Sequence, residues 1–311
     1  MANGEGKGET VVVTGASGFI GSTLVRRLLD RGYNVHAGVL NPDDKAETDH
    51  LLALAAGAGE GRLRIFRCDL LDRAAILDAA RGCSGVFHLA SPCTIDPVSD
   101  PQKQLIVPAV EGTLNVLRAA KEAGGVRRVV LTSSNSAIMP SPGWPAGEVP
   151  DERCWTDIDY CEKNGLWYSV SKTLAEKAAW KFAEENGVDV AVVNPGAVMG
   201  PIIPPTINSS MSILLRLLQG RDCRSLCSEH RPGTRPALLR IQHRRSGEVR
   251  DWPRSLAIER QTGTSSTERA YEKVGHLIIC RAICRATRRC SLPALPGGLH
   301  RDTIHLPMRS P

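Results

Sequence analysis

Two residues able to move a proton stand four apart in the run Tyr168-Ser169-Val170-Ser171-Lys172. On a helix, positions i and i+4 share a face, so the ammonium lies one turn from the phenol. A free phenol titrates near 10, and a neighbouring cation brings it towards neutrality. Such an acid suits hydride delivery to a carbonyl, whose oxygen must receive a proton as its carbon is reduced. Ser134 ends the run Arg127-Arg128-Val129-Val130-Leu131-Thr132-Ser133-Ser134. Its hydroxyl could hold that oxygen as an oxyanion donor does. An isolated Tyr-x-x-x-Lys arises by chance in many helices, so the pair gains meaning from what precedes it.

What precedes it is Thr14-Gly15-Ala16-Ser17-Gly18-Phe19-Ile20-Gly21. Val11-Val12-Val13-Thr14 reads as a strand buried on both faces of a parallel sheet. Ser22 to Arg31 reads as an amphipathic helix with Leu24, Val25, Leu28 and Leu29 on one face, ended by Gly32. Of the three intervening glycines, Gly15 permits a tight turn, Gly18 lets backbone approach a pyrophosphate, and Gly21 allows close helix–strand packing. The spacing is one residue longer in its first gap than the usual dinucleotide fingerprint. The helix N-terminus beside it offers free N–H groups and a partial positive charge, which suits a diphosphate.

Further strands must carry the rest of the site. Tyr33 to Leu40 should end near the adenosine ribose, where an acid selects NAD and a base accommodates NADP. Val39-Leu40-Asn41-Pro42 is neutral, with Lys45 the nearest cation. Missing repulsion there mildly favours NADP. Asp69-Leu70 follows Leu63-Arg64-Ile65-Phe66, and Asp69 either meets the adenine or caps the next helix. Leu89-Ala90-Ser91, after Gly85-Val86-Phe87-His88, either passes under the nicotinamide half or is ordinary core. The elements predict an α/β chain: a doubly wound (Rossmann) parallel sheet with an incomplete or aberrant C-terminal substrate lobe.

A family resemblance rests on Val13 to Ser22, Gly82 to Pro92, Glu111-Gly112-Thr113-Leu114-Asn115-Val116-Leu117, Thr132-Ser133-Ser134 and Leu166 to Trp180. Over residues 9–220 the chain resembles extended short-chain dehydrogenase/reductases of the plant cinnamoyl-CoA reductase and dihydroflavonol reductase group. The resemblance implies Ser134, Tyr168 and Lys172 as a triad, with Lys172 also bonding the nicotinamide ribose. It implies that Gly15, Ser17, Gly18, Phe19, Ile20, Gly21, Asp69, Leu70, Leu89, Ala90, Ser91, Lys172, Pro195 and Val198 contact the cofactor. The last two lie in Asn194 to Pro201, which resembles the loop bordering cofactor and substrate. The cofactor implied is NADP(H), with NAD(H) also open, and the acceptor an aromatic acyl-CoA thioester or related ketone. Two departures stand out. The family usually has an arginine where Leu40 stands, reading the 2′-phosphate. Its lignin-precursor reductases carry Asn-Trp-Tyr-Cys-Tyr before the lysine, where this chain has Leu166-Trp167-Tyr168-Ser169-Val170-Ser171. Epimerase or dehydratase chemistry remains open, since the triad also supports transient oxidation.

Composition changes near Gly220. Residues 1–220 carry 21 Lys and Arg against 25 Asp and Glu, a formal −4; residues 221–311 carry 18 against 8, a formal +10. The tail also holds five of the ten cysteines and shows little periodicity beyond His276 to Ile283. Such arginine-rich, lysine-poor composition is what a shifted reading frame or retained intron yields. A nucleic-acid arm is disfavoured, because Arg244-Arg245 and Arg288-Arg289 are thin clusters without interleaved aromatics. Cys223, Cys227, His230, His276, Cys280, Cys284 and Cys290 have ligand chemistry, but their spacing matches no tight zinc knuckle, so no metal is expected. The segmentation predicted is a flexible 1–8, a cofactor-binding domain over 9–200, the start of a substrate lobe over 201–220, and the atypical tail. A cofactor-binding chain without catalysis is the rival reading.

The 311 residues are 42 % hydrophobic, enough for one large α/β domain and a small lobe. No run approaches the roughly 18 apolar residues that span a membrane. The start has no signal-like apolar core. Cysteines without an even framework point to reduced thiols and the cytoplasm, with Cys154 and Cys161 either a redox pair or ordinary core thiols. Pro140 to Pro150 reads as a loop bordering the site. A small-molecule substrate is the partner expected; oligomeric state is unreadable from the chain.

Overall fold

The computed structural model describes residues 8–94, 97–145, 148, 150–151, 153–219, 239–245 and 248–249. The valines of β1 (Thr10–Thr14) point alternately to two separate cores. Val11 and Val13 pack with α1 (Phe19–Asp30), β2 (Asn34–Val39) and Leu51 of α2 (Lys45–Ala56). Val12 faces the other way, into a core built with α3 (Arg73–Ala80), α4 (Val107–Glu122) and α6 (Trp167–Asn186). A sheet covered on both faces needs strands apolar on both faces, which is why β1 does not alternate. Full burial of residues such as Leu51, Leu117 and Val129 contributes roughly 1.5–3 kcal/mol each.

The remaining elements are β3 (Leu63–Arg67), β4 (Gly85–His88), β5 (Arg128–Thr132), α5 (Ile158–Lys163), β6 (Val190–Pro195) and α7 (Ser209–Leu218). Two further strands follow, β7 (Leu239–Arg245) and β8 (Glu248–Val249). A π-helical turn, Gln102–Ile106, leads into α4. The sheet order is β3-β2-β1-β4-β5-β6-β7-β8, with β1 to β6 parallel. This is the doubly wound plan expected. The order reverses between β1 and β4, and Thr14 stands in register with both Gly38 and His88. The carboxyl ends of the central strands therefore form one edge, where open α/β sheets receive ligands.

Two expectations need correction. α1 begins at Phe19, three residues before Ser22, because a glycine cap leaves no side-chain signal in the sequence. Within the arginine-rich segment, Leu239–Arg245 pairs antiparallel with β6 and Glu248–Val249 pairs with β7. The far edge of β6 offers unpaired backbone groups, and a two-residue alternation as short as Leu239-Arg240-Ile241-Gln242 is enough to satisfy them. Gly8 is also tied in, its N–H donating to the Gly32 carbonyl at 3.3 Å. The other tail residues, including Cys223, Cys227, His230 and His276 to Cys290, lie outside the described residues, as do residues 1–7.

Candidate active site

The β1–α1 turn is built by glycine. Gly15 has φ +68°, and a Cβ there would come within 2.9 Å of the Ala90 backbone. A Cβ on Gly21 would strike the Gly15 carbonyl. The fold itself excludes side chains at both positions. Gly18 is different: a Cβ would stand 3.4 Å from the Gly15 carbonyl oxygen, and its φ of −74° suits any residue. It caps α1 without a side-chain bond. The first-turn N–H groups of Phe19, Ile20 and Gly21 thus lack intrahelical carbonyls and face an uncovered turn. This arrangement fits a dinucleotide diphosphate.

β1 and β4 are locked at their ends. Thr14 Oγ1 accepts the N–H groups of Leu89 and Ala90, each at 3.2 Å. Its own hydrogen must then go to His88 Nδ1 at 2.8 Å, which leaves His88 Nε2 to donate to Thr113 Oγ1 at 3.2 Å. Burial pulls the His88 pKa down to about 3, with the Lys172 charge a lesser cause. The imidazole is neutral and orients Leu89-Ala90-Ser91 past the cradle.

Tyr168 lies in the first turn of α6, Lys172 one turn on and Glu176 one further. Ser134 ends the β5 segment and caps the short turn Asn135–Ala137, its Oγ accepting the Ser136 N–H at 3.1 Å. The Tyr168 hydroxyl lies near Ser134 and the thiol of Cys93, and both act on its titration. Burial and the Cys93 thiol hold the Tyr168 phenol above its ordinary pKa. The sequence expectation was a phenol pulled down by Lys172. The Lys172 ammonium instead lies 5.9 Å from the ring centroid, donates to the Thr132 carbonyl at 3.4 Å, and is itself pulled down to about 8 by burial. Desolvation of a half-buried phenolate outweighs a cation at that distance. The arrangement keeps the phenol protonated, as an acid must be before it donates.

Glu176, 2 % exposed, fixes this edge from below. Its carboxylate accepts Ser133 Oγ at 2.5 Å, Asn194 Nδ2 at 2.8 Å and Trp180 Nε1 at 3.3 Å. Asn194 Nδ2 also donates to the Ser134 carbonyl at 3.1 Å. With His88, Ser91, Thr113, Thr132 and Lys172, Glu176 lines a recess beside the glycine turn.

At the other end, Asp69 is not the cap of α3. Asp72 is, through Ala75 N–H at 3.1 Å, while Asp69 Oδ1 accepts Leu71 N–H at 2.9 Å in a turn. Leu70 is held by Asn115, whose Nδ2 donates to its carbonyl at 3.0 Å, and packs against Gly112.

The chain matches the model of the "NAD dependent epimerase/dehydratase family" over residues 11–228. The chain belongs to that family. Cinnamoyl-CoA reductase CAD2 of Medicago truncatula is 50 % identical over 215 residues, covering 68 % of this chain and 65 % of the relative. Dihydroflavonol 4-reductase of Zea mays is 45 % identical over 227 residues, covering 71 % and 62 %. The crystal structure of Gre2 from Candida albicans in complex with NADPH superposes with a TM-score of 0.60 at 32 % identity, over 68 % of this chain and 66 % of that one. The chain thus spans less than two thirds of the length of these curated relatives.

In this member of the epimerase/dehydratase family, Pro195 ends β6, and Val198 is pinned by α7 and the residue before it: its N–H donates to Ser210 Oγ at 3.1 Å and its carbonyl accepts Asn208 Nδ2 at 2.9 Å. Cys154 and Cys161 are buried thiols without a disulfide. The site thiol is Cys93, which no local pattern marked. His88, Glu176 and Glu47 were also unmarked. Glu47 Oε2 accepts Leu40 N–H at 2.9 Å and Ser17 Oγ at 3.4 Å. Among the described residues no cluster could hold a metal, and no helix is long and apolar enough to cross a membrane.

Proposed function

We propose that this protein is a nicotinamide-dependent carbonyl reductase. The observation that carries the reading is the meeting of Ser134, Tyr168 and Lys172 beside an open glycine cradle at the switch point of the sheet. Gly15 to Gly21 would hold the diphosphate, Leu89 to Ser91 with Pro195 and Val198 the nicotinamide half, Asp69 and Leu70 the adenine, and Lys172 the ribose. NADP(H) is the donor that the likeness to the NADPH-bound Gre2 supports. The nicotinamide supplies a hydride when bound.

This chain's part is proton delivery and positioning. Ser134 holds the carbonyl oxygen of the acceptor, and Tyr168, kept protonated, gives its proton to that oxygen. Lys172, its pKa near 8, is poised to share in restoring the proton at neutral pH. For the acceptor we favour an aromatic acyl-CoA thioester, reduced to an aldehyde with loss of the CoA thiol, or a related ketone. The names of the relatives support this class. The cytoplasm is the compartment we assign.

A second reading is a dinucleotide-binding chain without turnover, because the family match stops at residue 228 of 311. One experiment separates them: NADPH or NADH oxidation with cinnamoyl-type thioesters, beside a melt with each dinucleotide. Turnover that falls about 10²–10⁴-fold in Tyr168→Phe, with cofactor-induced stabilisation retained, supports the reductase. Stabilisation without turnover in the unaltered chain supports the second reading.

A further inference from the structure

The following inference rests on Lys172 belonging to the reducing site and concerns what holds it there. The helical threonines Thr23, Thr48 and Thr173 each spend their hydroxyl hydrogen on a carbonyl of the preceding turn. Thr113, 3 % exposed in the middle of α4, does not. Its oxygen accepts from His88 Nε2 at 3.2 Å, its one hydrogen bond among the described residues. Its own hydrogen is unspent, and Thr113 lines the recess that Ala90 and Ser91 border.

Two other groups on that recess have capacity to spare. Lys172 carries three N–H donors and makes one hydrogen bond, a long one of 3.4 Å to the Thr132 carbonyl. Glu176 receives Ser133 and Asn194 on Oε2, but on Oε1 only Trp180, at 3.3 Å. About 10 Å³ of the recess is open to the centre of a water molecule, roughly the least that one water needs. A buried water typically makes about three hydrogen bonds to polar groups that otherwise go unsatisfied. Here it would accept from Thr113 and Lys172 and donate to Glu176 Oε1.

We propose that the recess binds one water molecule between Thr113, Lys172 and Glu176, and that Thr113 is thereby a positioning residue for the Lys172 ammonium. The Leu89 and Ala90 N–H groups donate to Thr14, Thr14 to His88, and His88 to Thr113. The water carries this chain on to Lys172, so the end of β4 and the ammonium belong to one network.

A hydrogen bond accepted from a cation favours its charged form, so losing the bridge should let Lys172 give up its proton at lower pH. The titratable groups facing Lys172 are Tyr168 and Glu176 on its own helix, His88 on β4 and Cys93 beyond it. Thr113, Thr132 and Ser133, from α4 and the β5 segment, carry no charge.

The test follows the Lys172 titration in the full chain by NMR of isotope-labelled lysine, assigned with Lys172→Arg. It compares the unaltered protein with Thr113→Val, which keeps the shape but loses the hydroxyl, and with Thr113→Ser. The unaltered midpoint should lie near 8. It should fall by about one pH unit in Thr113→Val and recover in Thr113→Ser. With NADPH and a cinnamoyl-type thioester, the Lys172-dependent limb of kcat should move in the same direction, with KM for the thioester unchanged. A midpoint that does not fall in Thr113→Val, or does not recover in Thr113→Ser, overturns the inference. If Thr113→Val fails to melt cooperatively, a crystal structure of the unaltered chain decides. Ordered water touching Thr113, Lys172 and Glu176 supports the inference, and a dry recess overturns it. An unaltered chain without turnover overturns the reductase reading but leaves the Lys172 titration measurable, so the two failures are distinguishable.

Discussion

Glu176 stands one helical turn beyond Lys172 and accepts a 2.5 Å hydrogen bond from Ser133, the residue before Ser134. One helix thus presents the lysine and clamps the strand end that carries the serine. Removing the carboxylate leaves the Ser133 and Trp180 donors without this acceptor inside the protein. Glu176→Ala should cost about 2–4 kcal/mol of stability, read as a fall in the urea midpoint. Glu176→Gln retains an acceptor oxygen and should cost less. It also removes a negative charge that supports the Lys172 ammonium. Lys172 should then lose its proton at lower pH, and the pH profile of kcat should shift in the same direction.

Cys93 is exposed, whereas Cys68, Cys83, Cys154 and Cys161 are buried. Burial pushes the Cys68 and Cys83 thiols up to about 12, which further blunts their reactivity. Iodoacetamide should label Cys93 before those four, as peptide mapping would show. The adduct lies against the Tyr168 hydroxyl, so turnover should fall with labelling while Cys93→Ala stays insensitive to the reagent. Because the thiol helps to raise the Tyr168 pKa, Cys93→Ala should lose activity at a lower alkaline pH than the unaltered chain.

His88 gives the fold an acid-sensitive joint. Its folded pKa is about 3 against an ordinary value near 6.5. Stability from this group is complete above pH 6.5 and declines as pH falls towards 3, because the unfolded chain then binds a proton that the folded chain refuses. The slope should approach about 1.4 kcal/mol per pH unit in the middle of that window. Urea midpoints between pH 7 and 4.5 test this. His88→Gln, which titrates no proton, should show a flatter dependence, whatever its stability at pH 7.

Much of this arrangement is legible along the chain, because the signals are local. A run of valines, three glycines, an amphipathic stretch and a Tyr-x-x-x-Lys specify strand, turn, helix and one shared helix face, each from residues within a few positions. The family likeness carried by those motifs extends to residue 228. Other features depend on distant approach. Cys93 meets Tyr168 across 75 positions through the close passage of the β4 and α6 segments. The choice of Asp72 over Asp69 as the α3 cap depended on where the turn closed. Burial decided the protonation of Tyr168, Lys172 and His88, and burial belongs to the packed molecule rather than to residue type. The antiparallel place of Leu239–Arg245 depended on an open edge of β6. At the β2 end, the sequence by itself determined that no charge follows Val39 directly. The tertiary structure alone brought Glu47 back to the Leu40 N–H, because a capped loop can return a side chain to a backbone donor that its own neighbours leave unpaired.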